Sequence, residues 1–361
     1  MGENLRGKHI LLAEDNELNA EIAIAKFLSK DVSNDCDILC LDECSTISNR
    51  DMVRVLQRAQ CKLLVLVGDI YQIESILFGN WFNIAYKVMP KDSVAELTRP
   101  HRTTVQGLIE VWNKVREITE DRLEFITRNG LSSTLDESIF SRTEEDEIVL
   151  CLNYDGIYGI NNINKFLQSN NVNPSINWGV LSYKVGDPVL FNESNRFAPL
   201  VYNNLKGKIL QIEEEEDCIY FTIEVYTVLN ELDVIGFDLE LKESVTDETS
   251  VIRFKVGRGG DGNDDNDNVE NVVPFQVAYA ISIHKAQGLE YESVKVVITS
   301  EIEEMVSHNI FYTAITRAKS KLKIYWSPET EKRILENMKV QFNDKDYQLF
   351  KAKYKEALLK S

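Results

Sequence analysis

The chain has 361 residues, enough for two or three domains with substantial cores, and its 43% hydrophobic and 27% charged residues are the balance of an ordinary globular protein. No run of about twenty apolar residues occurs and no basic start leads into an apolar signal core, so neither a membrane-spanning helix nor a secretory signal is expected. A formal net charge of −18 argues against indiscriminate binding to nucleic acid, yet it leaves room for a local basic groove because much of the acid is bunched in Glu213 to Asp217 and Asp261 to Asp267.

In chain order, Gly2-x-x-x-x-Gly7-Lys8-His9 approaches the spacing of a phosphate-binding loop without its context. No buried strand precedes it, His9 stands where a Mg²⁺-binding Ser or Thr is needed, and Ile10 to Ala13 reads as a strand where a helix should start. Lys8 to Asn16, followed by Leu18-Asn19, instead resembles the opening of a response-regulator receiver domain, whose acidic pair after the first strand binds Mg²⁺. The later acceptor Asp, Ser or Thr, and Lys that a receiver needs are not found in order. Residues 1–22 are therefore expected to be a receiver-like leader, followed by a short helix over Ala23 to Ser29.

Ile38 to Leu41 is an apolar run that stops at two adjacent carboxylates, Asp42 and Glu43. Such a run predicts a strand of a covered parallel sheet, with the acids at its carboxyl end, where open α/β sheets bind ligands. Ser48 to Gln60 has a helical period in Met52, Val53, Leu56 and Ala59, with Ser48 or Asn49 as cap. Leu63 to Val67 is a second buried strand, ending in Gly68-Asp69-Ile70-Tyr71-Gln72, and completes a βαβ crossover. The Asp-Glu pair and the Gly-Asp-x-x-Gln run resemble motifs II and III of the superfamily 1 helicases, and among them the RecD-like branch.

Ala95 to Thr104, which contains Arg99-Pro100-His101-Arg102, is similar to motif IV of that family, where an arginine reaches the γ-phosphate across the cleft between two lobes. The resemblance points to Arg102 first and Arg99 second; a guanidinium suits the task because its rigid fork stays charged and matches phosphate oxygens in pairs. Val105 to Ile118 has helical periodicity, Glu147 to Leu152 reads as a strand, and Asn161 to Leu167 reads as a helix.

From Trp178 to about Val256, short alternating runs separated by turns predict a small antiparallel barrel. It resembles the Src-homology-3-like insertion of RecD-like helicases, on which Tyr202, Lys206 and Lys208 could meet a strand by stacking and charge. Gly257 to Asn268, rich in Gly, Asp and Asn, reads as a flexible loop.

Ser282-Ile283-His284-Lys285-Ala286-Gln287-Gly288-Leu289-Glu290 is similar to motif V, with Ser282 where Thr is usual. That likeness places Ser282, His284 and Lys285 near a DNA backbone and turns Gly288 and Glu290 toward the nucleotide. Tyr312-Thr313-Ala314-Ile315-Thr316-Arg317-Ala318 resembles motif VI, with Arg317 as a second arginine for the γ-phosphate. Strands are expected at Val294 to Ile298 and Lys321 to Trp326, and an amphipathic helical tail over Asp344 to Leu359.

These motifs in order imply an α/β chain of RecA-like lobes with parallel sheets, the first lobe incomplete, plus a small inserted antiparallel β-barrel. Expected domains are a partial first lobe at 23–95, a second lobe at 96–175 with 273–340, the barrel at 176–256, the acidic loop at 257–272 and the tail at 341–361. The resemblance implies an ATP-dependent DNA helicase core working on single-stranded DNA with ATP and Mg²⁺. In it, Asp42 and Asp69 serve the metal and nucleotide, Asp42 as the Mg²⁺ ligand, Glu43 activates water, Gln72 senses the γ-phosphate, and Arg102 and Arg317 stabilise the transition state. Without a motif I lysine, weak ATP binding and no unwinding by this chain alone are expected. A non-catalytic nucleic-acid-binding subunit and a response-regulator-type signalling protein are the alternatives. Cys36, Cys40, Cys44, Cys61, Cys151 and Cys218 include no Cys-x-x-Cys pair, so they are expected to be reduced, with a cytoplasmic location.

Overall fold

The structure, a computed structural model of the chain, describes residues 10–14, 22–23, 27–28, 35–74, 79–98, 100–192, 196–198, 200–244, 246–258, 271–339 and 344–358. The glycines and lysine near the start, Arg99 and most of the acidic loop lie outside them. The chain divides into two units, 1–132 with 300–322 and 328–361, and 133–299 with 323–327.

The first unit is built on four strands, β1 (Ile10–Glu14), β2 (Ile22–Ala23), β3 (Asp35–Asp42) and β4 (Gln60–Leu66), ordered β2-β1-β3-β4 and all parallel. Ala23 is thus in a strand, not the first turn of the expected helix. β1 runs in register with β3, Glu14 opposite Asp42, so the segment read as a foreign leader is a strand of this sheet. β3 buries side chains on both faces: Ile38 is 5% exposed on one, and on the other Leu39 and Leu41 are fully buried and pack with Phe27, Cys44, Ile47, Met52 and Val55. The expected crossover helix forms at Asn49–Arg58, where the Ser48 hydroxyl accepts the Asp51 amide at 3.1 Å, and Met52 and Val55, three residues apart, face the core.

Helix Gln106–Arg116 buries Leu108, Val111, Trp112 and Val115, the i, i+3, i+4, i+7 stripe that its sequence predicts. It falls in the first unit, because it packs on helix His308–Ile315, to which it is fastened by the Trp112 indole donating to the Ile315 carbonyl at 3.0 Å. The tail forms helix Asp344–Leu358 and docks on helix Trp81–Val88, with Asn80 donating to Asp346 at 2.7 Å.

Strands β7 (Ser175–Trp178) and β8 (Leu181–Lys184) pair with each other, and two further sheets are larger. One, ordered β15-β6-β16-β17-β5, contains β5 (Ser132–Ser133), β6 (Glu147–Cys151), β15 (Ala280–Ser282), β16 (Tyr291–Val297) and β17 (Ala318–Tyr325), with β6 parallel to β15 and β16. β6 is buried at all five positions, as a central parallel strand should be.

The other is an antiparallel sheet, in the stretch where an inserted barrel was predicted, ordered β12-β13-β11-β10-β9-β14. Its strands are β9 (Pro188–Phe191), β10 (Lys206–Glu214), β11 (Cys218–Val225), β12 (Glu240–Lys242), β13 (Ser250–Gly257) and β14 (Phe275–Val277). In β11 the inward set Ile219, Phe221, Ile223 and Val225 is fully buried, the period of two expected of a one-faced strand. Phe221 meets Tyr183, Phe254 and Phe275 with ring centroids 5.2, 6.2 and 4.9 Å away. The expected closed barrel is not seen: among the described residues the edge strands β12 and β14 do not pair with each other. β12 is only three residues long, and after β14 the chain passes directly to β15 of the parallel sheet.

Candidate active site

Four segments of the first unit converge at the carboxyl end of β3. Glu43 follows the last strand residue with φ at +47°, a left-handed conformation that a non-glycine residue adopts only when its surroundings impose it. Its amide donates to Asp42 Oδ1 at 2.7 Å, and its carbonyl accepts both the amide and the hydroxyl of Thr46, at 2.9 and 2.7 Å. The tight turn lifts the carboxylate out of the strand direction. The ladder continues beyond it, Cys44 N to Val67 O at 2.8 Å, bringing in Gly68 and Asp69. A Cβ on Gly68 would come 3.1 Å from the Cys44 nitrogen and 2.9 Å from the Phe82 ring, so a larger residue here would have to displace the ring and ease the two strand ends apart.

Asp69 organises the next loop. Its Oδ1 accepts the Tyr71 amide at 2.9 Å and its Oδ2 faces the Gln72 amide nitrogen at 3.4 Å, while Gln72 Oε1 is buried with no hydrogen-bond partner. The loop is tied to helix His308–Ile315: Asn309 donates to the Gln72 carbonyl at 2.8 Å, and the Ile73 amide donates to the Thr313 hydroxyl at 3.1 Å. Arg317 lies just past that helix, fully buried, with Nε on the Thr313 carbonyl at 3.0 Å and a terminal nitrogen on the Thr316 hydroxyl at 3.2 Å. Arg102 donates to the Thr316 carbonyl at 2.6 Å, so both arginines meet at the end of one helix.

The charges act on one another. Burial pushes the Glu43 carboxyl above the ordinary glutamate range; Arg317 then pulls it back, Asp42 and Asp69 push it up, and Arg102 pulls it down. Burial and the like charge of Arg102 pull Arg317 down to about 9, against support from Glu43 and Asp69, and it stays a cation at neutral pH. Two guanidiniums that destabilise each other suit an anion with several oxygens such as a phosphate. Among the described residues no three His, Cys, Asp or Glu side chains are grouped to hold a metal. Such a site fits a Mg²⁺ shared with phosphates and water rather than one caged by protein.

Glu43, Gln72, Arg102, Arg317, Asp42 and Asp69, all expected from the sequence, are therefore brought together in one unit. Thr313, Thr316 and Asn309, which fasten the arginines and the Gln72 loop, were not singled out; their signal was their position within or beside the run that contains Arg317.

The remaining predicted residues lie in the second unit. The buried Ser282 hydroxyl accepts the Lys285 amide at 3.2 Å, Lys285 donates to Gln276 at 2.8 Å, and His284 is exposed. Gly288 has φ of +78°, which glycine takes without cost, two residues before Glu290. Tyr202 is 9% exposed and belongs to the core, so it cannot act as a stacking platform. Lys206 and Lys208 are ion-paired with Asp146 and Glu145.

Residues 277–325 match the UvrD-like helicase C-terminal domain, and residues 9–136 match an AAA domain. Together with the relatives that follow, these matches support a superfamily 1 helicase. Among curated relatives, the RecBCD enzyme subunit RecD of Mycolicibacterium smegmatis is 22% identical over 84% of this chain and 52% of its own. An uncharacterized protein of Methanocaldococcus jannaschii is 24% identical over 82% of this chain and 29% of its own. The chain thus spans between about a third and a half of the length of these relatives. In fold it is similar to Pif1 helicase from Bacteroides in complex with ADP-AlF3 and ssDNA (TM-score 0.55, 14% identity, 96% of this chain and 88% of that one). It is also similar to Pif1 helicase from Candida albicans (TM-score 0.52, 17% identity, 91% and 88%). The AAA match takes in β1, and neither the signalling nor the non-catalytic alternative is favoured. No described helix is long and apolar enough to cross a membrane.

Proposed function

We propose that this chain is the motor core of a RecD-like, ATP-dependent DNA helicase, coupling ATP hydrolysis to movement along single-stranded DNA. The observation that carries the reading is the convergence of Glu43, Asp69, Arg102 and the wholly buried Arg317 on one another's charge. Catalysis of phosphoryl transfer is mainly positioning and electrostatic stabilisation, and these residues supply both.

Asp42 is the residue we assign to Mg²⁺, assisted by Asp69; bound there, the ion would offset phosphate charge. Glu43, once ionised, accepts a hydrogen bond from the attacking water and orients it, and its raised basicity favours that role. Gln72, turned by Asp69, offers its unpaired oxygen to the same region. Arg102 and Arg317 meet the charge that grows on the γ-phosphate, and their attachment to the Thr313 and Thr316 backbone fixes them in advance. Among the described residues none supplies a phosphate-cradling lysine and loop, so triphosphate binding by this chain alone is expected to be weak. Ser282, His284, Lys285 and Lys208 are the residues we assign to the strand, and Gly288 and Glu290 to the nucleotide side of motif V.

The test is binding of a single-stranded oligonucleotide to the purified chain with and without a Mg²⁺–triphosphate analogue. A nucleotide-dependent change in strand affinity supports a motor. Salt-dependent strand binding that is blind to nucleotide would leave a passive binding subunit.

A further inference from the structure

The ammonium of Lys206 does more than balance a carboxylate. Lys206 opens β10, opposite Leu190 of β9, and its Nζ donates to Asp146 Oδ1 at 2.6 Å and to the Glu290 carbonyl at 3.0 Å. It also sits 4.1 Å from the centroid of the Tyr291 ring and 5.5 Å from that of Tyr226, within cation–π range of both. Asp146 is itself held in place, its Oδ2 accepting the Glu292 amide at 3.2 Å and its carbonyl accepting the Ser293 amide at 3.1 Å. One side chain therefore joins three segments: the first residue of the inserted sheet's β10, the turn before β6, and the junction where the motif V run enters β16.

The junction lies beside a cavity of about 570 Å³ lined by Arg142, Glu145, Asp146, Lys206 and Lys208 together with apolar groups such as Val189. Lys208, two residues along on the same face of β10, bonds Glu145, whose side chain is 75% exposed. An exposed pair of that kind carries little energy and gives way easily. Lys206 is 20% exposed and reaches backbone as well as side chain, so its attachments are specific in direction.

From these contacts we propose that Lys206 is a positioning residue that links the inserted antiparallel sheet to the Gly288–Tyr291 segment, so that what the insertion binds biases the nucleotide side of motif V. The proposal rests on the helicase reading above. In physical form it is a coupling free energy between two ligands, and by linkage the strand must alter nucleotide affinity by the same factor as nucleotide alters strand affinity. Spatial connection alone does not establish such coupling, so the factor itself has to be measured in variants.

The experiment measures the affinity of the intact chain for a fluorescent Mg²⁺–triphosphate analogue with and without saturating oligothymidylate. Wild type is compared with Lys206→Met, which keeps the stem, Lys206→Arg, which keeps the charge, and Asp146→Asn, which loosens the grip without changing volume. Lys208→Met removes a charge from the same face as a control. We expect wild type to show a several-fold linkage, within the roughly 5–150-fold range typical of allosteric pairs. Lys206→Met and Asp146→Asn should bring the factor close to one, Lys206→Arg should restore part of it, and Lys208→Met should weaken strand binding yet retain the factor. Asp146→Asn decides the matter if Lys206→Met does not fold. Linkage that persists in the loosened variants, or that falls equally in Lys208→Met, overturns the proposal and leaves the helicase reading standing. Wild type without any linkage overturns both.

Discussion

Arg317 and Glu43 each set the other's charge. The glutamate is pushed up by burial and drawn back first by the arginine, whereas the arginine, drawn down to about 9 by burial and by Arg102, is supported first by the glutamate. Each is held in a state that costs free energy, at the end of a strand in one case and of a helix in the other. Groups kept in such states mark functional sites more often than structural ones.

One consequence is a pH-dependent cost. An ordinary glutamate titrates near 4.5, and because the folded carboxyl titrates higher, ionising Glu43 opposes folding. Stability tied to this group is present below 4.5 and is lost as pH rises through the folded value. Glu43→Gln should therefore gain on wild type between about pH 4 and pH 8 in urea unfolding. An equal difference at both ends of the scan would contradict it.

The neighbours tune that titration in opposite senses. Arg102→Gln removes a group that pulls Glu43 down, so the carboxyl should titrate higher; Asp69→Asn removes one that pushes it up, so it should titrate lower. Carboxyl carbon shifts in NMR report both. Movement in the same direction in the two variants would show that burial alone controls the group.

The left-handed backbone of Glu43 predicts a stability order. Glu43→Gly relieves the Cβ strain and Glu43→Ala does not, so the glycine variant should be the more stable by about 1 kcal/mol. Neither should support hydrolysis, since the carboxylate is gone. Chemical denaturation of the two variants decides it; alanine equal to or above glycine would refute the strain.

Thr313 joins the Gln72 loop to the helix that carries Arg317. It is fully buried and accepts the Ile73 amide at 3.1 Å, so Thr313→Val takes away that acceptor at constant volume and should cost about 1–3 kcal/mol. Hydrogen exchange at Ile73 should quicken more than at Leu39 in the sheet core. Unchanged exchange at Ile73 would show that the loop does not depend on this bond.

Much of this was legible in the chain itself. Apolar runs ending in Asp42-Glu43 and in Gly68-Asp69 predicted buried parallel strands because a strand covered on both faces has no polar face to show; β3 and β4 both form and are parallel, but β4, at the edge of the sheet, has no buried residue and Leu63 is 52% exposed, so its burial was over-read. The order of motifs named Glu43, Gln72, Arg102 and Arg317. What the sequence concealed was long-range and polar. β1 was read as a leader because its partner, β3, lies beyond a stretch with no strand pattern, and register with a distant strand leaves no local trace. Barrel closure was over-read: alternation identifies a one-faced strand but says nothing about whether the edges meet. Lys206 read as a contact for a nucleic-acid strand, since the acids and rings that hold it come from segments far away along the chain.

The central claim is that Arg102 and Arg317 serve the third phosphate of a nucleotide. The most direct measurement compares equilibrium binding of a non-hydrolysable Mg²⁺–triphosphate with that of the diphosphate, in wild type and in Arg102→Ala. The site described here predicts a wild-type preference for the triphosphate that falls by roughly tenfold or more in the variant, the loss of one charge-assisted pair, with diphosphate affinity little changed. Equal affinity for the two nucleotides in wild type, or a preference untouched by Arg102→Ala, would contradict it.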